Sequence, residues 1–408
     1  MIGLAAGDLI RRASPDLALM STPSTQQPAA LRDELLGRAT ELVPVLRERA
    51  ARTEHLRQIP PETVRDLLSS GLIRIGNPRR YGGHGVEMDA AFDVAWELGR
   101  GCGSTGWCYA LWTAHNWWLG HFPEQAQEEF FAGGPDTLFS SGLNPTAGKA
   151  EPVDGGFRVS GRWGFSSGCD AASWAMVATA GPGPGEMRWL LLPRVSYEIV
   201  DTWFAAGMRG TGSKDIVVKD AFVPAHRSMD PNRAGDGEWT GWTLHERLSY
   251  RVPLRCLTGW DLAAPVVGMA QGAIDEFIAR LQGTSGPGRT ADSVPLQLRL
   301  AEASAEVDAA RALHRHDIRE IFDKAARGLA FTEMDRARYR RDKAFVARLC
   351  VQAVNRLFEA SGARAVLESD PIQRFHRDVH GASHHAALTW DPPAEQFGRQ
   401  ALGVGKSP

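Results

Sequence analysis

The sequence predicts a mainly α fold with a central β-domain, and three observations carry that expectation. Apolar residues recur at helical spacing from Ala30 to about residue 134. Between Pro135 and roughly residue 230 the period changes to two, in short runs rich in β-branched and aromatic residues separated by Gly and Pro clusters. From 231 onward long amphipathic segments return. The expected organisation is a disordered leader over 1–29, an N-terminal helical domain over 30–134, a β-domain over 135–230 and a C-terminal helical bundle over 231–408.

In the first domain, LRDELLGRATELVPVLRERAARTEHLR and IPPETVRDLLSSGL place apolar residues among charges at helical spacing. The Pro-Pro start of the second suits a helix N-terminus. NPRRYGGHG is a turn-rich break. VEMDAAFDVAWELGR and STGWCYALWTAHNWWLGHF follow as two helices, the second apolar all round and therefore buried. TLFSSGL, FRVSGRWGF, SWAMVATA, RWLLLP, YEIVDTW and DIVVKDAFVP then read as the strands of a small antiparallel barrel or sandwich. Long adjacent helices over 256–282, 293–326, 333–362 and 371–388 predict a four-helix bundle.

Bulk properties exclude several classes. With 46 basic and 48 acidic residues the chain has no electrostatic footprint for nucleic acid or an anionic membrane surface. Cys102, Cys108, Cys169, Cys256 and Cys350 are scattered and never spaced as CxxC, so neither disulfide framework nor zinc knuckle is expected, and a cytoplasmic location fits. No run of transmembrane length is evident. GCGSTG at 101–106 matches a dinucleotide fingerprint but follows a helix, not a strand, and reads as a helix–helix turn. HRHDIRE at 314–320 reads as a solvated helix face. His380 and His384 have the spacing of a metal pair, but Gly381 stands where a zinc protease needs Glu and no third ligand is evident. No metal is expected.

GMRGTGSKDIVVKDAFVP (207–224) and NPRRYGGHG resemble the acyl-CoA dehydrogenase superfamily, which implies an acyl-CoA dehydrogenase-like fold. AHNWWLGHFPEQAQEEFF, FSSGLNP, GRWGFSSGCDAASW and RFHRDVHGASHHAAL resemble its reduced-flavin-dependent two-component monooxygenase branch, which includes hydroxyphenylacetate hydroxylase oxygenase components and indole monooxygenases. The order of these motifs over about 35–403 carries the match. The resemblance implies an oxygenase component that receives reduced FMN or FAD from a separate NAD(P)H:flavin reductase. With O2 it would form a C4a-hydroperoxyflavin and hydroxylate a small aromatic or heteroaromatic substrate. A homotetramer is also implied.

For the flavin, Trp163 and Phe165 offer flat apolar surface and Ser166 and Ser167 offer hydroxyls near N5 and O4. Strand alternation places the two serines on opposite faces, so one of them faces the ring, and the match leaves either open. Arg289, in GTSGPGRTADS before a long helix, is the candidate for the cofactor phosphate. By the same resemblance His115 and Ser141 contact the substrate, Trp107 lies two helical turns before His115 and could share its face, and His385 hydrogen-bonds or protonates the activated oxygen. A histidine inside an apolar helix is otherwise more often a core residue. Alternative functions are an acyl-CoA dehydrogenase or oxidase, an N-hydroxylase or S-oxygenase of the same fold, and a non-catalytic ligand-binding member. The dehydrogenase pattern of Tyr, Glu and Gly-Thr is absent from HGASHHAALTWD at 380–391, which favours oxygen chemistry.

Overall fold

The computed structural model of the chain describes residues 26–404 apart from 182, 184, 233–239 and 284–289. The expected leader therefore lies largely outside the described residues. Five helices open the fold: α1 (Gln26–Leu56), α2 (Pro61–Ser69), α3 (Met88–Gly101), α4 (Gly103–Leu119) and α5 (Glu124–Phe131). Leu35, Ala39, Val43, Leu46 and Ala50 bury one stripe of α1, as its charge pattern requires. The 101–106 stretch is the corner between α3 and α4: α3 ends at Gly101, and Cys102 is extended. A Cβ on Gly106 would stand 2.5 Å from the backbone nitrogen of Gly99, so glycine lets the two helices cross almost backbone to backbone.

Among the described residues eight strands follow: β1 (Phe139–Gly142), β2 (Gly148–Val153), β3 (Gly156–Ser166), β4 (Trp174–Ala180), β5 (Met187–Pro193), β6 (Glu198–Val200), β7 (Lys214–Pro224) and β8 (Ser228–Met229). They form two four-stranded sheets in the orders β1-β4-β5-β8 and β2-β3-β7-β6. The β1–β4 pair is parallel, which corrects the expectation of an all-antiparallel domain. The sheets enclose Val159, Trp163, Ala175, Val177, Leu190, Leu192, Ile216 and Val218. Met176, Ala178, Trp189 and Leu191 point the other way, into the helical core. The first sheet is thus buried on both faces, which explains why SWAMVATA and RWLLLP read as continuous apolar runs and not as alternation.

After the short helices α6 (Thr240–His245) and α7 (Leu254–Leu257), the bundle consists of α8 (Trp260–Gln282), α9 (Val294–Ala326), α10 (Glu333–Ala360) and α11 (Pro371–Ser383). A further helix, α12 (Asp391–Ala401), was not anticipated. Thr332 and Asp335 form a capping box on α10, and Asp370 caps α11. The 314–320 stretch is solvated on one side only, with Arg315, His316 and Arg319 exposed as expected. On the other side His314 is buried against Phe92 and Trp260, and Asp317 is buried under Arg338 of α10 at 2.8 Å. Among the described residues one stretch, 254–282, is long and apolar enough to span a membrane, and 72% of its apolar 18-residue window is buried within the fold.

Candidate active site

The α4 helix gathers the candidate residues. Its almost uniformly apolar sequence makes it a buried spine, and Cys108, Trp112 and His115 at spacings of four and three form one stripe along it, with Trp107 flanking. Each of the four meets a different piece of the site.

His115 is fully buried between Trp118 and Phe139, whose ring centroids lie 4.9 and 4.8 Å away. Its Nδ1 lies 2.9 Å from the Phe139 carbonyl, which can only accept, so Nδ1 carries the proton. Nε2 is then the lone-pair nitrogen, 3.0 Å from Ser141 Oγ. Phe139 and Ser141 are two apart on β1 and so face α4 together. Burial lowers the His115 pKa to about 4, which keeps the ring neutral. The structure thus joins His115 and Ser141 directly.

His385 lies in the turn after α11, and its ring stands edge-on to Trp107 with centroids 5.6 Å apart. Ala387 N–H donates to its Nδ1 at 3.2 Å. In the neutral ring the proton therefore sits on Nε2, the opposite tautomer to that of His115. His385 keeps exposed surface in this turn, while the protein packed around its ring lowers its pKa and favours this neutral form. His380 and His376 instead share Asn355 Oδ1, at 2.7 and 3.0 Å.

The 163–168 stretch departs from simple alternation. Trp163 pairs with Ile216 and Ser166 with Lys214, so β3 carries an extra residue there. Phe165 takes up that bulge at φ 61° and is turned outward, 77% exposed. Trp163 is wholly enclosed between the sheets, and its Nε1 donates to the Ala178 carbonyl at 2.8 Å. This corrects the expectation that Trp163 offers a face to the flavin: it has no surface to present. Phe165 lines a recess of about 240 Å³ with Thr202, Trp203, Phe204, Ala205, Ser213 and Asp215.

Ser166 is fully buried, with no hydrogen-bond partner for its Oγ among the described residues. Ser167 Oγ lies 2.7 Å from Ser213 Oγ, which lies 2.6 Å from Thr211 Oγ1. The turn is pressed onto α4, since a Cβ on Gly168 (φ 69°) would meet the Trp112 ring at 2.6 Å. Two further anchors hold the 206–213 loop. Asp378 Oδ1 accepts from Met208 N–H at 2.6 Å, and Arg377 donates to the Ala206 carbonyl at 2.6 Å. Burial raises the Asp378 pKa to about 6. Lys214 binds Asp170 at 2.8 Å on the other side of the turn.

Thr211, Ser213, Trp112 and Asp378 escaped the reading of the sequence. The Thr-Gly-Ser of GMRGTGSKD is visible there, but nothing local says that it meets Ser167, 46 residues earlier. Arg289 lies outside the described residues.

The exposed Phe165, the hydroxyls behind it and the recess beside it suit an isoalloxazine ring, with an apolar face next to polar edge contacts.

Residues 29–132 match the family described as acyl-CoA dehydrogenase, N-terminal domain, and residues 261–390 match acyl-CoA dehydrogenase, C-terminal domain. The chain is 37% identical over 382 residues to the flavin-dependent monooxygenase oxygenase subunit HsaA of Mycobacterium tuberculosis, covering 91% of this chain and 95% of that protein. The crystal structure of that monooxygenase superposes with a TM-score of 0.87 at 36% identity, covering 92% and 99% of the two chains. The FADH2-dependent resorcinol hydroxylase oxygenase component of a Rhizobium species is 34% identical, over 91% of this chain and 94% of that protein. XiaF from Streptomyces, in complex with FADH2 and glycerol, superposes with a TM-score of 0.84 at 27% identity, covering 93% and 97%.

Proposed function

Because the chain belongs to the flavin-dependent monooxygenase oxygenase subunits of the acyl-CoA dehydrogenase family, we propose that it hydroxylates a phenol, using O2 and reduced flavin delivered by a separate reductase. The observation that carries the substrate class is the His115–Ser141 pair. Ser141 donates to the one lone pair of His115 Nε2, so the acceptors offered to a substrate O–H in this apolar setting are the Ser141 lone pairs, with Nε2 freed when Ser141 rotates aside. With its pKa near 4, His115 is far too weak a base to take a phenol proton near pH 10 outright. It orients the hydroxyl and draws electron density toward the ring.

Reduced flavin, when bound, supplies the two electrons that activate O2. Phe165 and Trp203 would flank its ring, and Ser167 would meet its N5 edge in preference to the wholly enclosed Ser166. His385, neutral with its proton on Nε2, supplies a hydrogen-bond donor for the transferred oxygen. The aromatic wall around His115 excludes water. Arg289 remains the proposed phosphate contact, and either FMN or FAD suits the reading. The exposed apolar side chains Val294, Leu298, Val366 and Leu367 support a homotetramer that covers them.

The deciding experiment supplies chemically reduced FMN or FAD and 18O2 with a panel of substituted phenols. Incorporation of one 18O atom per hydroxylated product is expected. Bleaching of oxidised flavin by an acyl-CoA, without phenol oxidation, would overturn the reading in favour of a dehydrogenase.

A further inference from the structure

Ser167 is the end of a chain of hydroxyls whose protons are fixed from its other end. Thr211 Oγ1 lies 2.8 Å from the Met208 carbonyl, which has no proton, so the contact is attractive only if Thr211 donates. Thr211 has a single hydroxyl proton, so Ser213, 2.6 Å away, donates to Thr211. By the same count Ser167, 2.7 Å from Ser213, donates to Ser213. Any other assignment sets two lone pairs against each other at less than 3 Å. The backbone of the turn is also occupied: Ser167 N–H donates to the Phe165 carbonyl at 3.0 Å and Gly168 N–H to the Thr211 carbonyl at 2.8 Å. Asp378 fixes the origin of the chain by holding Met208 N–H, and Met208 keeps a left-handed φ of 55°.

We infer that this relay makes Ser167 a hydrogen-bond acceptor only, and that it thereby selects reduced over oxidised flavin. The inference rests on the reading that Ser167 meets the flavin N5 edge. Reduced flavin carries an N–H at N5 and donates, whereas oxidised flavin presents a lone pair there. A Ser167 with lone pairs alone binds the first and repels the second. An oxygenase that must take up reduced flavin from solution and release the oxidised form gains from that asymmetry. Thr211, Ser213 and Asp378 are positioning residues in this scheme, since they act through Ser167.

The test is anaerobic titration of the full chain with dithionite-reduced and with oxidised FMN and FAD, comparing the two dissociation constants for each variant. Thr211→Val removes the proton acceptor at nearly constant shape and frees Ser213 to donate to Ser167. Ser213→Ala frees the Ser167 proton directly. Each is expected to narrow the preference for reduced flavin about three- to tenfold, the scale of one hydrogen bond, chiefly by tightening the oxidised form. Thr211→Ser keeps the hydroxyl and should restore the wild-type ratio, which a merely structural defect would not do. If Ser167→Ala weakens reduced-flavin binding while Thr211→Val and Ser213→Ala leave the ratio unchanged, the relay is wrong and the N5 contact stands. If Ser167→Ala leaves reduced-flavin affinity unchanged, the N5 contact itself is wrong and the relay falls with it.

Discussion

The Trp107 indole stands edge-on to the His385 ring, 5.6 Å between centroids and 68° between planes, tying the first turns of α4 to the turn after α11. Residues 278 positions apart in the chain thereby share one wall of the site, and His385 is held by an aromatic neighbour as well as by its own turn. Trp107→Ala is expected to loosen that turn and lower product formed per reduced flavin consumed by about two- to tenfold, the worth of one aromatic pair. Trp107→Phe should retain most of it. The check is product yield against hydrogen peroxide released.

Removing the donor itself should cost more. His385→Ala is expected to lower the hydroxylation rate about a hundredfold, with a matching rise in peroxide, because a donor aimed at developing oxygen charge is lost. Reduced-flavin affinity should be unchanged. Rapid-quench product analysis measures the rate, and wild-type hydroxylation in this variant would remove His385 from the chemistry.

His115→Ala should weaken phenol binding about ten- to a hundredfold while leaving reduced-flavin binding intact, and Ser141→Ala should do the same to a smaller extent. Titration of the phenol in the presence of reduced flavin separates the two effects. Equal loss of both affinities would mean that the pair supports the fold and does not contact substrate.

The pH dependence follows from the His115 environment. Unfolded histidine titrates near pH 6.5, whereas burial lowers the native pKa to about 4. Between these values the unfolded chain binds a proton that native His115 does not, so this contribution to stability is present above about pH 6.5 and lost as pH falls toward 4. The stability gap between the wild type and His115→Gln should therefore shift against the wild type on acidification, read from denaturant midpoints. Phenol affinity should show no step at pH 6.5.

Trp163 offers a contrast. Trp163→Phe is expected to leave reduced-flavin affinity unchanged and to destabilise the protein by about 1–3 kcal/mol, because the Ala178 carbonyl loses its donor inside the sandwich. A fall in flavin affinity with no change in melting temperature would restore Trp163 to the cofactor wall.

The sequence by itself determined the order of helices, strands and helices, because hydrophobic periodicity is local. It also determined that α4 is buried and that 101–106 is a helix corner. His115 and Ser141 were legible as a pair only through resemblance to a family. Their tautomer and polarity were not, since these depend on the Phe139 carbonyl brought up by β1. The tertiary structure decided the rest of RVSGRWGFSSG. The β3 bulge is set by pairing with β7, and it turns Phe165 out and Trp163 in, against the period of two that the stretch itself suggests. The direction of the Ser167 proton is set by Thr211 and Ser213, more than forty residues away, and its anchor Asp378 lies 170 residues beyond Met208. Contacts across such separations leave no periodic trace in the chain, so their polarity becomes visible only when the folded backbone brings the donors and acceptors together.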